Sequence, residues 1–381
     1  MLRRLASYGL ACSLLFACSS DAEETLAAQP GAATDAPSTE PAPVPAPTAT
    51  TTTAPTPTQT VAPAAPKPVP YTNAVLAADC PDPGVTRVDD AAGPLFTMVC
   101  TGGRFRIRQS KDLVTWKDTG AFVFPSGKPP WASDGNRNWA PEIHRLGPGA
   151  FVAYYTASDA QGRLAIGVAH ASEPTGPWTD RGTPLVQNAL GVIDATYFAD
   201  DDGKRYLYYK IDGNSQGKPT PIYAQELAAN GRSFAPGSTP RLVLTNDPAT
   251  WEGGVVEAPW VIKRKGTYYL FYSGNVYDQR YRTGVARASS PTAMFTKKGA
   301  PILENNAAWV GPGHGSIVLT GSGATAETWF VHHAWPTDGS GARDAAKGRH
   351  VLLEKVIWGA DGWPSFKGGA SATGKQQGPT L

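Results

Sequence analysis

A short phrase ending in an aromatic ring returns about every sixty residues along this chain, and that period constrains the fold more than any other feature. It reads Ser110-Lys-Asp-Leu-Val-Thr-Trp116, then Ser172-Glu-Pro-Thr-Gly-Pro-Trp178. It returns as 227–234, ending in Phe234, and as 290–295, ending in Phe295; Trp363 closes the series. Runs rich in aromatic and β-branched residues (95–100, 151–156, 205–210, 267–273) precede the phrases and read as strands. About sixty residues suit one four-stranded antiparallel sheet, and long helical patterns are absent. Such sheets cannot each bury both faces alone; packed face to face around an axis, they can. The expected fold is all-β, a five-bladed β-propeller with four-stranded antiparallel blades. A sandwich or a solenoid is the competing architecture, but the unit is too long for typical solenoid coils.

A second series runs in phase with the first. Asp82 lies in Cys80-Pro-Asp-Pro-Gly84, Glu142 in Asn138-Trp-Ala-Pro-Glu142 and Asp194 in Gly191-Val-Ile-Asp-Ala195. Glu257 lies in Gly254-Val-Val-Glu-Ala-Pro-Trp260 and His314 in Gly311-Pro-Gly-His-Gly-Ser316. Each opens a blade, just before the strand nearest the axis, so ring closure brings them to one mouth of the central channel. Clustered carboxylates raise one another's pKa and weaken a fold. Glycosidic cleavage needs such a set: one carboxyl to protonate the leaving oxygen, one to activate water or attack, and a third to tune the acid.

These residues carry a family resemblance. Pro81-Asp82-Pro83, Ile193-Asp194, Val256-Glu257-Ala-Pro and Gly311-Pro-Gly-His314 together resemble glycoside hydrolase family 43. Trp139-Ala-Pro-Glu142 and the closing Trp358-Gly-Ala-Asp-Gly-Trp-Pro364 are similar too. The resemblance implies a five-bladed propeller that hydrolyses O-glycosyl bonds with inversion. It maps the general base onto Asp82, the pKa modulator onto Asp194 and the general acid onto Glu257. It places His314 near a water-coordinated Ca²⁺ on the axis, and Arg349 near the substrate. No organic cofactor is implied. The implied substrates are arabinose- or xylose-containing poly- or oligosaccharides. α-L-Arabinofuranosyl linkages lead, and β-xylosidase and exo-galactanase activities are the alternatives. A non-catalytic surface glycan-binding protein is the reading from another class.

Other residues have plainer readings. Trp139 is the best candidate platform for a sugar face, while Trp116, Trp178 and Trp363 belong to the repeat and read as inter-blade core. Phe105, after Gly102-Gly103, is a candidate pocket liner. Glu142 is as well explained by structure as by substrate contact. His332 and His333 read equally as core or as axial groups.

The ends set the location. Residues 1–17 form a signal peptide: a basic Met1-Leu-Arg-Arg4 and an apolar run too short to span a bilayer. Leu15-Phe-Ala-Cys18 resembles a bacterial lipobox, which implies lipidation of Cys18 and an outer-membrane or cell-surface location; plain secretion is the alternative. Residues 18–70, rich in Ala, Pro and Thr, cannot offset their ordering entropy and read as a semi-rigid tether. Residues 71–368 form the propeller and 369–381 a flexible tail. A net charge of +2 without a basic cluster argues against nucleic acid; a monomer is expected, with membrane contact through its lipid anchor only. Cys80 and Cys100 are left for the folded part, and both a disulfide and two free thiols are open.

Overall fold

The computed structural model describes residues 67–381, Ala91 excepted. The expected signal peptide, the lipidated Cys18 and nearly all of the tether lie outside the described residues.

Five antiparallel sheets follow one another along the chain. Blade I holds Gly84–Arg87, Phe96–Val99, Arg106–Ser110 and Lys117–Phe122. Blade II runs from Trp139–Gly147 to Thr179–Asp180, blade III from Val192–Ala199 to Arg241–Leu244, and blade IV from Val256–Arg264 to Thr296–Lys297. Each of these has four strands in sequential order. Blade V has three: Trp309–Thr320, Glu327–Pro336 and His350–Lys355. The first strand of each blade packs beside the first strand of the next, and that of blade V returns to that of blade I. The ring therefore closes around the five innermost strands.

Its apolar material sits between blades. Val318, Trp329 and Val351 of blade V meet Val85, Phe96 and Met98 of blade I. Four further clusters fill the interfaces I/II, II/III, III/IV and IV/V. Each aromatic of the repeated phrase enters a different one: Trp116 at V/I, Trp178 at I/II, Phe234 at II/III, Phe295 at III/IV and Trp363 at IV/V. The sixty-residue period thus records one ring inserted per blade interface.

Closure uses both ends of the domain. Leu76 bridges Val351 on the outer edge of blade V, and the Cys80 N–H donates to the Arg349 carbonyl at 2.9 Å. Asn73 donates to Glu354 Oε1 (2.7 Å) and accepts from the Leu353 N–H (2.9 Å). The missing fourth strand of blade V is replaced by this N-terminal segment, which covers an edge that would otherwise present free backbone groups. Cys80 and Cys100 form a disulfide within the same region.

The expected loose tail is a correction. Gln376–Gln377 pairs with Pro70–Tyr71, the Ala372 N–H donates to Glu354 Oε1 (2.7 Å), and the Thr380 N–H donates to Glu327 Oε2 (2.9 Å). Gly, Ser and Gln offer little apolar surface, so composition suggested no anchoring. Backbone hydrogen bonds to two carboxylates and one strand supply it instead. Replacement of Asn73 by Ala leaves Glu354 and the Leu353 N–H without these partners. It is expected to lower stability by about 1–3 kcal/mol, read from urea unfolding; an unchanged midpoint would show that the segment is not a structural closure.

Candidate active site

Each innermost strand carries, within it or just before it, a non-glycine residue in the left-handed region. These are Asp82 (φ 53°), Ala140 (φ 40°), Asp194 (φ 57°), Ala258 (φ 57°) and His314 (φ 40°). Strand register shifts at the same place in blades II to V. A bulge with positive φ re-aims side chains, and strain of this kind costs on the order of 1–3 kcal/mol per residue. Five repetitions around one mouth point to a site. In blades I, III and V the left-handed residue itself reaches the pocket, as Asp82, Asp194 and His314. In blades II and IV the preceding residue does so, as Trp139 and Glu257, and an alanine takes the turn.

The pocket holds about 260 Å³. The structure brings Asp82, Trp139, Asp194, Glu257, His314 and Arg349 together there. Thr101, Asp212, Asn214 and Tyr277 also line it and were not anticipated from sequence. Glu142 does not join them. It lies deeper on the axis, where Thr196 Oγ1 donates to its Oε2 (2.9 Å) and His144 Nε2 lies 2.6 Å from the same oxygen. Phe105 is also a correction. It is fully buried against Phe124 and Tyr155 in the I/II core, because its own positive φ turns it inward from the Gly-Gly loop.

Three carboxylates meet three surroundings. Asp82 Oδ1 accepts from Arg349 at 2.9 Å and lies 3.2 Å from His314 Nδ1; Oδ2 accepts from Thr101 Oγ1 at 2.6 Å. Burial alone would raise its pKa, but Arg349 and then His314 outweigh that and hold it well below the usual carboxylate range. The Asp82 N–H donates to His333 Nδ1 (3.1 Å), and burial pushes His333 down to about 3, so that ring is neutral. His332 is fully buried and likewise pushed down, to about 4. Asp194 has no such cation in contact. Among the described residues its Oδ2 accepts the Ala258 N–H alone (2.9 Å). Burial pushes its pKa up to about 7, with Glu257 and Asp82 adding to the rise and His314 and Lys210 opposing it. Glu257 accepts from Lys210 Nζ at Oε2 (2.9 Å) and from the Tyr281 hydroxyl at Oε1 (2.8 Å).

Lys210 and Tyr281 escaped the sequence reading. Lys210 left a trace, a lone cation in the strand run Tyr208-Tyr-Lys-Ile211. Tyr281 left none, since nothing in its loop marks a partner 24 residues away. At the rim the Arg349 guanidinium lies 5.0 Å from the Tyr277 ring and 5.8 Å from that of Trp335.

A Ca²⁺ on the axis would be held largely through water. Ca²⁺ takes six to eight oxygens, yet among the described residues no three His, Cys, Asp or Glu side chains converge on one point. His314 turns Nδ1 to Asp82.

The fold and the site together define a closed five-bladed ring with a carboxylate pocket at one mouth. The sequence model described as Glycosyl hydrolases family 43 matches residues 71–364, and the chain belongs to that family. An extracellular exo-α-(1→5)-L-arabinofuranosidase of Streptomyces avermitilis is 29% identical, covering 60% of this chain and 49% of that protein. The chain thus spans about half the length of that relative. Arabinan endo-1,5-α-L-arabinosidase C of Emericella nidulans is 29% identical over 77% of this chain and 95% of its own length. A β-D-galactofuranosidase of Aspergillus niger also matches. The crystal structure of a thermostable family-43 glycoside hydrolase superposes with a TM-score of 0.69 at 28% identity, covering 82% of this chain and 99% of that one.

Proposed function

We propose that this protein hydrolyses O-glycosidic bonds in arabinose-, xylose- or galactose-containing polysaccharides, with α-L-arabinofuranosyl linkages as the leading substrate. The observation that carries the proposal is the unequal treatment of three neighbouring carboxyls. Asp82, held as an anion by Arg349, takes the proton of the attacking water as general base. Glu257 gives its proton to the leaving oxygen. Asp194, buried and protonated up to near neutrality, keeps a proton beside Glu257 and donates no competing charge. Water attacks from the side opposite the leaving group, so the anomeric centre inverts. Trp139 offers a flat face to the sugar.

Arabinose leads because two of the relatives are named for arabinofuranosyl or arabinan cleavage. The galactofuranosidase relative favours the alternative of a galactose-type substrate. Membership of a family of extracellular relatives supports export, and among the described residues no helix is long and apolar enough to cross a membrane. We place the protein at the cell surface through lipidated Cys18.

On phenyl glycosides and on linear or branched arabinan, whose leaving groups need protonation, Asp82→Asn and Glu257→Gln are each expected to lose roughly 10²–10⁴-fold in kcat. NMR of the wild-type reaction should show the inverted anomer first. Wild type inert on every glycoside, yet binding glycan, would favour the non-catalytic alternative. The Asp82 pKa is lowered, so its active anion persists into acid, whereas the Asp194 pKa is raised, so Asp194 holds its proton below about pH 7 and loses it above. kcat/KM should stay flat through mild acid and fall through about pH 7; a rise on that limb contradicts the assignment. Finally, Cys18→Ala should abolish palmitate labelling and move the protein to the soluble fraction, and unchanged labelling would exclude Cys18.

A further inference from the structure

Five equivalent positions surround the pocket from behind, and Lys210 is the exception among them. Each is the residue of a blade's second strand paired opposite the residue that precedes the left-handed turn. Thr156 pairs with Trp139, Lys210 with Ile193, Ser273 with Glu257 and His333 with Gly313. In blade I the Thr101 N–H donates to the Pro81 carbonyl, giving the same place. Four of the five side chains accept the N–H of the turn residue in the next blade. Thr101 accepts from Ala140 (2.8 Å), Thr156 from Asp194 (3.4 Å), Ser273 from His314 (2.9 Å) and His333 from Asp82 (3.1 Å). An ammonium has no lone pair and cannot accept. The Ala258 N–H therefore goes to the Asp194 carboxylate instead (2.9 Å).

What replaces the acceptor is a fully buried ammonium held at three points. Lys210 Nζ donates to Asp212 Oδ1 (2.9 Å), Asn214 Oδ1 (3.0 Å) and Glu257 Oε2 (2.9 Å). All three of its protons are used. A buried cation is costly to keep, and here it displaces an arrangement that the rest of the ring repeats.

We propose that Lys210 is the positioning residue of the acid Glu257, fixing its carboxyl and stabilising the charge that appears there as it yields its proton. The role rests on the hydrolase activity proposed above. In the step, the O–H bond of Glu257 and the glycosidic C–O bond break, and the proton passes to the leaving oxygen. Water adds to the anomeric carbon and its proton goes to Asp82. Glu257 is left as an anion 2.9 Å from a fixed ammonium, the placement in which a preorganised charge acts most strongly. Asp212 keeps Lys210 paired while Glu257 is still protonated. The charged and titratable groups facing Glu257 are Lys210 and Asp212 from the second strand of blade III and the turn after it, Asp194 from its inner strand and Tyr281 from blade IV. Asp82, His314 and Arg349 stand across the pocket.

The test compares leaving groups. A dinitrophenyl glycoside departs without protonation, whereas an arabino-oligosaccharide or a phenyl glycoside needs the acid. Lys210→Met and Lys210→Thr are both made, because threonine restores the acceptor that the other blades use and so keeps the ring foldable. Folding is checked by thermal melting. Expected is a loss of about tenfold or more on the poor leaving groups and of less than about twofold on the dinitrophenyl glycoside, with the alkaline limb of kcat/KM moved to higher pH. Lys210→Thr that melts like wild type but loses both substrates equally, with an unmoved limb, would overturn the assignment. So would full activity in either variant. A wild type that turns over neither substrate overturns the hydrolase activity itself, and this role with it.

Discussion

The carboxyl groups of Asp82, Asp194 and Glu257 share one small pocket, and like charges in so little water drive one another towards the neutral form. The surroundings decide where the remaining charge rests. Arg349, His314 and Thr101 gather on Asp82 and hold it ionised. Asp194 receives one backbone N–H and is left to burial, which favours its proton. Glu257 lies between, with a lysine on one oxygen and a tyrosine hydroxyl on the other. The proposed acid and base roles thus rest on neighbours, since the side chains themselves differ by at most one methylene.

The propeller makes that arrangement affordable. Each turn residue is anchored by its neighbour: Thr101 of blade I holds Ala140, Thr156 of blade II holds Asp194, and His333 of blade V holds Asp82. The strain of five left-handed residues is spread around a ring whose five interfaces are separately filled with apolar side chains. Closure on blade V by residues 71–80 also brings Asp82 beside Arg349, which lies almost at the other end of the domain. Two groups 267 residues apart become an ion pair only because the ring shuts.

Repetition made much of this legible in the sequence. Trp116, Trp178, Phe234, Phe295 and Trp363 mark one interface each, so their spacing counted the blades before any strand was seen. The in-phase polar series located the mouth, but it could not resolve which residue of each turn enters the pocket. Glu257 stands one position before the turn residue of its blade, and Glu142 two positions after the turn residue of its own, which sends it down the axis. Such offsets are invisible at a sixty-residue period. The groups contributed by second strands and loops, Thr101, Tyr281 and Lys210, escaped for another reason. Their partners lie on other strands or in other blades, and sequence carries no register between them. The tail escaped because it is held by hydrogen bonds from its backbone, which composition does not report.

The division of charge among the carboxyls can be read without knowing the substrate. Protein labelled with ¹³C at Asp side-chain carboxyls, with Asp82→Asn and Asp194→Asn used for assignment, gives each titration by NMR. The account predicts that the Asp194 resonance titrates at about pH 7 while Asp82 stays ionised to well below the usual carboxylate range. An Asp194 that ionises like an exposed aspartate, or an Asp82 that takes up its proton near neutrality, would contradict it.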